Sequence, residues 1–331
     1  MPPWKSKSSL NSPDRAFRIP RLGPTADSGQ LRQVPVSSRD LSAARAWIED
    51  GSEGSCCPLR TAASVAFIRE GADGLETFLT YRSTEGSPLG KVAFPGGAVQ
   101  AGDRDPVGWF GPTPAQWAQK FGESEQMISA RSAVVAAIRE SFEEVGLLLA
   151  GPDDQSTVEY NEASETMDTR EQIAAHEEEF VSFLKRSGLK LRTDLLKPLG
   201  RWQSPDFSHR RFDTHYFAAV VPVGQKPKLL GSKGIWGRWV NARDLLSDLE
   251  SSMLGDEIDV EQTRGRSVQD LIAPGVQCIL ESLAASQTTI AFLTKKRSVS
   301  VRKGELVERD QKYYLEFAQP AFGCAARVKG I

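Results

Sequence analysis

Short apolar runs bounded by turn-forming residues divide the chain into many small elements. Residues 62–69 (AASVAFIR) and 76–81 (ETFLTY) read as two strands joined by a Gly- and Asp-containing turn at 70–75. A short strand then runs into a glycine turn at 87–97 (SPLGKVAFPGG). Residues 113–121 predict a helix, with Thr113 as N-cap and Pro114 at the first helical position. The strongest helical pattern spans 129–149, where Val134, Ala137, Ile138, Ser141, Val145 and Leu148 share one face. An acidic polar loop is expected at 151–167 and an amphipathic helix at 169–187. Strands follow at 197–203, 214–221 and 236–240, then helices at 242–249 and 268–285. Residues 288–317 alternate in β fashion around a turn at Lys303–Gly304. No internal repeat is present.

Residues 1–45 are rich in Pro, Ser, Arg and Gly and lack periodicity, which predicts a loose N-terminal arm, with a short helix at 41–50. The expected order is therefore the arm, a main domain over 60–285, and a β-rich extension over 288–331 packed on it. Strands and helices mix without regular βα alternation, so the fold class is α+β or a mixed-sheet sandwich.

Composition removes several function classes. The 331 residues are 40% hydrophobic and 25% charged, enough for a sizeable core. The net charge of −2 gives no drive towards nucleic acid or an anionic membrane. No apolar run approaches the roughly 20 residues of a membrane helix. Four cysteines without C-x-x-C spacing argue against a disulfide framework or a structural zinc site, and free thiols point to the cytoplasm.

The chemistry concentrates in Arg139-Glu140-Ser141-Phe142-Glu143-Glu144-Val145-Gly146-Leu147. On a helix turning about 100° per residue, Glu143 and Glu144 lie about 60° and 40° to either side of Glu140. Three carboxylates on one face repel unless a cation sits among them, and all-oxygen donors favour Mg²⁺ or Mn²⁺. Arg139 stands four residues before Glu143 and can pair with it. Upstream, Phe94-Pro95-Gly96-Gly97 forms a loop whose backbone can approach an ion or phosphate closely.

These two segments resemble the Nudix hydrolases, whose box reads G-x5-E-x7-R-E-U-x-E-E-x-G-U, U being a bulky apolar residue. Gly97, Asp103, Arg139-Glu140, Glu143-Glu144, Gly146 and Leu147 follow that pattern. Asp103 replaces the first Glu, Ser141 an apolar residue, and residues 104–138 the seven-residue spacer. The insert, taken as 104–132 within the box, is typical of the subgroup containing the type 19 coenzyme A diphosphatases. Residues 79–83 and 90–97, with Arg201-Trp202, Ser204-Pro205 and 210–214, resemble the same subgroup. The likeness covers roughly 60–285. The family commonly carries a carboxylate just before a W-x-x-p element, and here 231–236 (GSKGIW) has none.

The resemblance implies a Nudix-type mixed β-sheet sandwiched between α-helices. It also implies metal-dependent cleavage of a diphosphate in a CoA-like nucleoside diphosphate derivative. Glu140, Glu143, Glu144 and the Gly96 carbonyl would hold the cation, with Arg139, Asp103 and Gly97 supporting them. The proton acceptor stays open between Glu140 and Glu144, with Asp213 outside the box. Arg82, Lys91 and Arg211 are the candidate phosphate contacts, against the plainer readings of a surface charge or an Asp206 or Asp213 ion pair. ADP-ribose, a dinucleotide or a nucleotide sugar could replace CoA, and a catalytically silent nucleotide-binding module is the rival class. Trp109, Phe110, Trp117 and Phe121 are expected to pack the insert on the body. Lys295, Lys296, Arg297, Arg302 and Lys303 are expected to form a solvated strand face. The chain does not end in a Ser-Lys-Leu-type signal, which argues against a peroxisomal location.

Overall fold

The structure is a computed structural model, which describes residues 31–51, 57–82, 90–122, 126–159, 164–297 and 299–318. The first 30 residues of the expected arm and the end of the extension lie outside them. The chain runs through β1 (Leu31–Pro35), α1 (Leu41–Glu49), β2 (Leu59–Gly71), β3 (Gly74–Tyr81), β4 (Val92–Ala93) and β5 (Gly96–Ala98). The insert carries β6 (Trp109–Phe110) and α2 (Pro114–Lys120). Then come α3 (Met127–Val145), β7 (Ala150–Gly151), α4 (Ser164–Ala174), α5 (Phe180–Arg186), β8 (Lys190–Arg192), β9 (Lys197–Gln203), β10 (Arg211–Val220) and β11 (Trp236–Asn241). The last part holds α6 (Ala242–Ser247), α7 (Met253–Ile258), α8 (Val268–Leu271), α9 (Pro274–Ala284), α10 (Thr289–Thr294), β12 (Val301–Lys303), β13 (Glu305–Arg309) and β14 (Lys312–Ala318).

Eight strands form the main sheet in the order β11-β3-β2-β10-β9-β12, with β4 on β3 and β5 on β2. The sheet is mixed: β2 runs parallel to β10, while β3 and β9 run antiparallel to their neighbours β2 and β10. Side-chain alternation gives it two apolar faces. Ala63, Val65, Phe67 and Phe217 pack with Val134, Ile138 and Phe142 of α3. Ala66, Ile68, Leu79 and Ala218 pack with Val276, Ile279 and Leu283 of α9. The layers are thus helix, sheet, helix, as the α+β sandwich expectation requires. Each buried Val, Leu, Ile or Phe among them contributes about 1.5–3 kcal/mol, and each alanine methyl roughly 0.8 kcal/mol.

Two features of this sandwich position the site. β2 and β3 pair only between Ile68↔Thr77 and Gly71↔Gly74, then part. β4 and β5 fill the gap, β4 pairing Thr80–Tyr81 and β5 pairing 62–64. The turn between them is fastened by Val65 N–H to the Pro95 carbonyl at 2.9 Å. α3 is buried on every side from Ser132 to Val145. It stops at Gly146, whose φ of 72° suits glycine. The sequence pattern runs on to 149, three residues past that cap.

Other elements differ from the sequence expectation. Leu31–Pro35, within the expected arm, is a strand antiparallel to β14, because Val34 gains a buried place there. The helix expected at 169–187 breaks into α4 and α5 around His176, whose φ is 62°. No Pro or Gly announces that break. Phe180 and Phe183 instead turn back onto Phe142, with Phe183 stacked at 5.5 Å. The helix expected at 268–285 is interrupted before Pro274, which starts α9 and holds Ala273 extended. Residues 289–294 are helical rather than β, because the Thr288 hydroxyl accepts from Ala291 N–H at 3.1 Å and Phe292 is buried. β13 and β14 form a hairpin through Asp310 and Gln311, both at positive φ, as a two-residue turn demands.

Candidate active site

The glycine loop and the α3 carboxylates meet, although residues 104–138 separate them in sequence. Gly96 N–H donates to Glu144 Oε2 at 2.9 Å. A Cβ on Gly97 would lie 2.4 Å from the Glu140 carboxyl, so only glycine fits this approach. Asp103 is buried, accepts Arg139 Nε at 2.8 Å and Nη2 at 2.9 Å, and caps its own turn by accepting Gln100 N–H at 2.8 Å. Arg139 also donates from Nη2 to the Ala98 carbonyl at 3.0 Å. It therefore staples the loop to the helix.

Every member of the carboxylate cluster has a cationic partner. Arg139 Nη1 donates to Glu140 Oε1 at 2.8 Å and to Glu143 Oε1 at 2.9 Å. Lys233 Nζ donates to Glu143 Oε2 at 2.6 Å. Arg82 Nη2 donates to Glu144 Oε2 and to the Gly96 carbonyl, both at 2.7 Å, and lies 3.7 Å from Glu140 Oε2. The Thr80 hydroxyl donates to Glu144 Oε1 at 2.7 Å. Burial disfavours the charged form of Arg82, but Glu144, Glu140 and Glu143 outweigh it and hold its pKa above the ordinary value. Burial likewise opposes charge on Arg139, and Glu140, Asp103 and Glu143 overcome it.

The end of α3 is fixed from outside the helix. Buried Arg170 donates to the Glu143, Glu144 and Lys228 carbonyls at 3.0, 2.6 and 2.8 Å. Lys228 N–H and Leu230 N–H donate to the Val145 and Glu144 carbonyls, both at 2.9 Å. These bonds satisfy carbonyls the helix leaves open and pin the loop that carries Lys233.

A cavity of about 290 Å³ opens beside this cluster. Thr80, Arg82, Gly96 and Glu144 line it on one side, and Arg60, Lys91, Arg210, Phe212 and Tyr216 line the rest. Lys91 Nζ donates to the Asp270 carbonyl at 2.6 Å, and burial lowers its pKa although Asp40 and Asp270 pull the other way. Lys91 also lines a second cavity of about 200 Å³ with Arg39, Arg266 and Asp270.

The sequence expectations meet this geometry unevenly. Gly96, Gly97, Asp103, Arg139, Glu140, Glu143 and Glu144 come together. Arg82 reaches the cluster itself rather than only the cavity wall. Arg211 is turned away from the cavity. It donates to Asp206 Oδ1 at 2.6 Å and to the Cys57 carbonyl at 3.0 Å, and its neighbour Arg210 lines the cavity instead. Asp213 is held by Arg201 Nε at 2.7 Å, away from the glutamates. Lys233, Thr80 and Arg170 were missed. Lys233 lies in the segment noted only for lacking a carboxylate. Trp117 and Phe121 are buried against Phe217, which packs the insert onto the body as expected. The C-terminal basic residues are not a uniformly solvated face: Arg297 lies over the Phe292 ring at 4.4 Å, and Lys303 pairs with Asp206.

Among the described residues, no group of three or more acidic, histidine or cysteine side chains is arranged to hold a metal. The carboxylates are paired with cations instead. Arg139 and Lys233 occupy Glu143, and Arg82 stands between Gly96, Glu140 and Glu144. That last position is a positive charge among oxygen donors. With Arg82 withdrawn, the Gly96 carbonyl, Glu140 and Glu144 fit a hard divalent cation.

No family model matches the chain, and no curated protein matches it significantly. Solved structures do match its fold. A NUDIX hydrolase from Alicyclobacillus acidocaldarius superposes with a TM-score of 0.54 at 21% identity, covering 74% of this chain and 99% of that one. An Ap4A hydrolase from C. elegans matches at 14% identity over 60% of this chain and 93% of its own, with a TM-score of 0.29. No helix among the described residues is long and apolar enough to cross a membrane. By its layers, its sheet and its superposition on the A. acidocaldarius protein, the chain has the fold of a Nudix hydrolase.

Proposed function

We propose that this chain is a metal-dependent Nudix hydrolase that cleaves the diphosphate of a nucleoside diphosphate derivative, with CoA or acyl-CoA as the favoured substrate. The observation that carries the reading is the convergence of Glu140 and Glu144 on the Gly96–Gly97 backbone at the edge of a cavity, with Glu143 tied to Glu140 through their shared partner Arg139. A divalent cation, Mg²⁺ or Mn²⁺, would supply charge neutralisation and a more acidic water. Gly96, Glu140 and Glu144 would hold it. Arg139 and Asp103 fix the orientation of those carboxylates and of the loop. Glu140 or Glu144 takes the proton from the attacking water, because both meet the glycine loop, whereas Asp213 pairs with Arg201 between β9 and β10. Water attacks phosphorus, the bridging P–O bond breaks, and two phosphate-ended products leave.

CoA is favoured by the sequence likeness over 79–97 and by a cavity that collects Arg60, Lys91 and Arg210. Guanidinium groups suit phosphates by forked, charge-assisted hydrogen bonds. Cys57 and Cys278 are free thiols, which supports a reducing, cytoplasmic compartment. A second reading, a nucleotide-binding module without catalysis, draws on one observation: each glutamate already has a cationic partner.

A panel of CoA, dephospho-CoA, ADP-ribose and a dinucleotide, with Mg²⁺ or Mn²⁺ and products weighed by mass spectrometry, separates these readings. The expected result is 4′-phosphopantetheine and adenosine 3′,5′-bisphosphate from CoA. Brisk cleavage of ADP-ribose without cleavage of CoA would move the substrate and keep the reaction. Binding without any cleavage would favour the silent module.

A further inference from the structure

We infer that Arg82 and Lys233 divide the cationic work of this site unequally. Arg82 holds the place of a divalent cation and yields it, whereas Lys233 stays on Glu143 and keeps that carboxylate out of the ion's shell. The site then takes one divalent ion per chain. The inference rests on the metal-dependent reading above and says how that site is regulated.

Arg82 Nη2 stands at the meeting point of three oxygens: Gly96 O and Glu144 Oε2 at 2.7 Å and Glu140 Oε2 at 3.7 Å. A metal bound by the same three oxygens cannot share that point with a guanidinium. The Arg82 side chain is 26% exposed and lines the 290 Å³ cavity, so it has room to withdraw. There it would meet the anionic substrate rather than the glutamates.

Lys233 differs in both respects. It holds Glu143 Oε2 at 2.6 Å, while Arg139 holds Oε1 at 2.9 Å, so both oxygens of a fully buried carboxylate are engaged. Its loop is fastened to the end of α3 by Lys228 N–H and Leu230 N–H. Charge balance points the same way. Asp103, Glu140, Glu143 and Glu144 bring four negative charges, and Arg139 and Lys233 return two positive ones. One divalent ion in place of Arg82 neutralises the cluster. A second, without substrate, would leave a buried excess of positive charge, which is costly. Removing Lys233 restores the anion that a second ion needs.

The test is Mn²⁺ binding to the full chain without substrate, followed by the electron paramagnetic resonance of free Mn²⁺, with metal-dependent hydrolysis assayed separately. Wild type should bind one ion. Arg82→Gln should bind it tighter by about 10-fold or more, the equivalent of losing a competing charge-assisted contact. Lys233→Met should admit a second ion, and Lys233→Arg should still hold one. If Arg82→Gln does not fold, Arg82→Lys, with its shorter reach, should still bind more tightly than wild type. Two ions in wild type, unchanged or weaker binding when Arg82 is replaced, or one ion in Lys233→Met would overturn the inference, and hydrolysis would still stand. Wild type that binds no Mn²⁺ and hydrolyses nothing would remove the metal-dependent reading as well.

Discussion

The carboxylate cluster on α3 and the ion-pair cluster on β9 and β10 use the same side chains to opposite ends. Between β9 and β10, Arg201 and Gln203 hold Asp213, while Arg211 and Lys303 hold Asp206. Cations there are at least as many as carboxylates, and nothing further is demanded. On α3, four carboxylates, counting Asp103, face three cations, and a glycine loop opens the cluster to a cavity. What separates a site from a staple is this excess of buried negative charge beside open space, rather than the number of ion pairs.

Breaking the two clusters should therefore give different results. Arg139→Ala leaves Asp103, Glu140 and Glu143 short of a buried partner, and should lose about 3–5 kcal/mol of stability by urea unfolding as well as activity. Part of that loss should return on adding Mn²⁺, because a cation can replace the missing charge. Arg201→Met should cost less, about 1–3 kcal/mol, since Gln203 still donates to Asp213 at 2.9 Å, and it should leave turnover unchanged. An equal loss of turnover in Arg201→Met would merge the two clusters into one functional unit.

A smaller effect belongs to the α9 side of the sheet. Burial, with a contribution from Glu281, pushes the Cys278 thiol up to about 12, although Arg32 pulls it down. The folded thiol thus keeps its proton where an unfolded one loses it. Its contribution to stability is full below about 9, the ordinary thiol range, and is lost as pH rises towards 12. Native protein at pH 8–9 should leave Cys278 unalkylated by iodoacetamide in peptide mapping. Rapid native modification would place the thiol outside the core.

The helix and the loop of the site were legible because their residues carry fixed spacings. Arg139, Glu140, Glu143 and Glu144 lie within two helical turns, and glycine pairs mark the loop. The partners that complete the site were not legible, because folding alone brings them near. Lys233 is 90 residues from Glu143 in sequence, and Arg170 reaches the end of α3 through backbone carbonyls, which no sequence motif marks. One error had a readable cure. Phe212 and Tyr216 line the cavity, so strand parity assigns Arg210 rather than Arg211 to the same face. The C-terminal helix α10 hid for another reason: Thr288 caps it, and a six-residue helix is too short for its period to outweigh β alternation.

The most direct test compares Glu144→Gln with Asp213→Asn in turnover of the best substrate at saturating Mg²⁺, with unfolding measured alongside. Glu144 meets the loop backbone at 2.9 Å and stands beside the cavity, whereas Asp213 is tied to Arg201. The account predicts that Glu144→Gln lowers turnover by on the order of 10²-fold or more while remaining folded. Asp213→Asn should lose stability and keep its turnover. Near-normal turnover in Glu144→Gln, or a comparable fall in a folded Asp213→Asn, would contradict the assignment of catalysis to the α3 cluster.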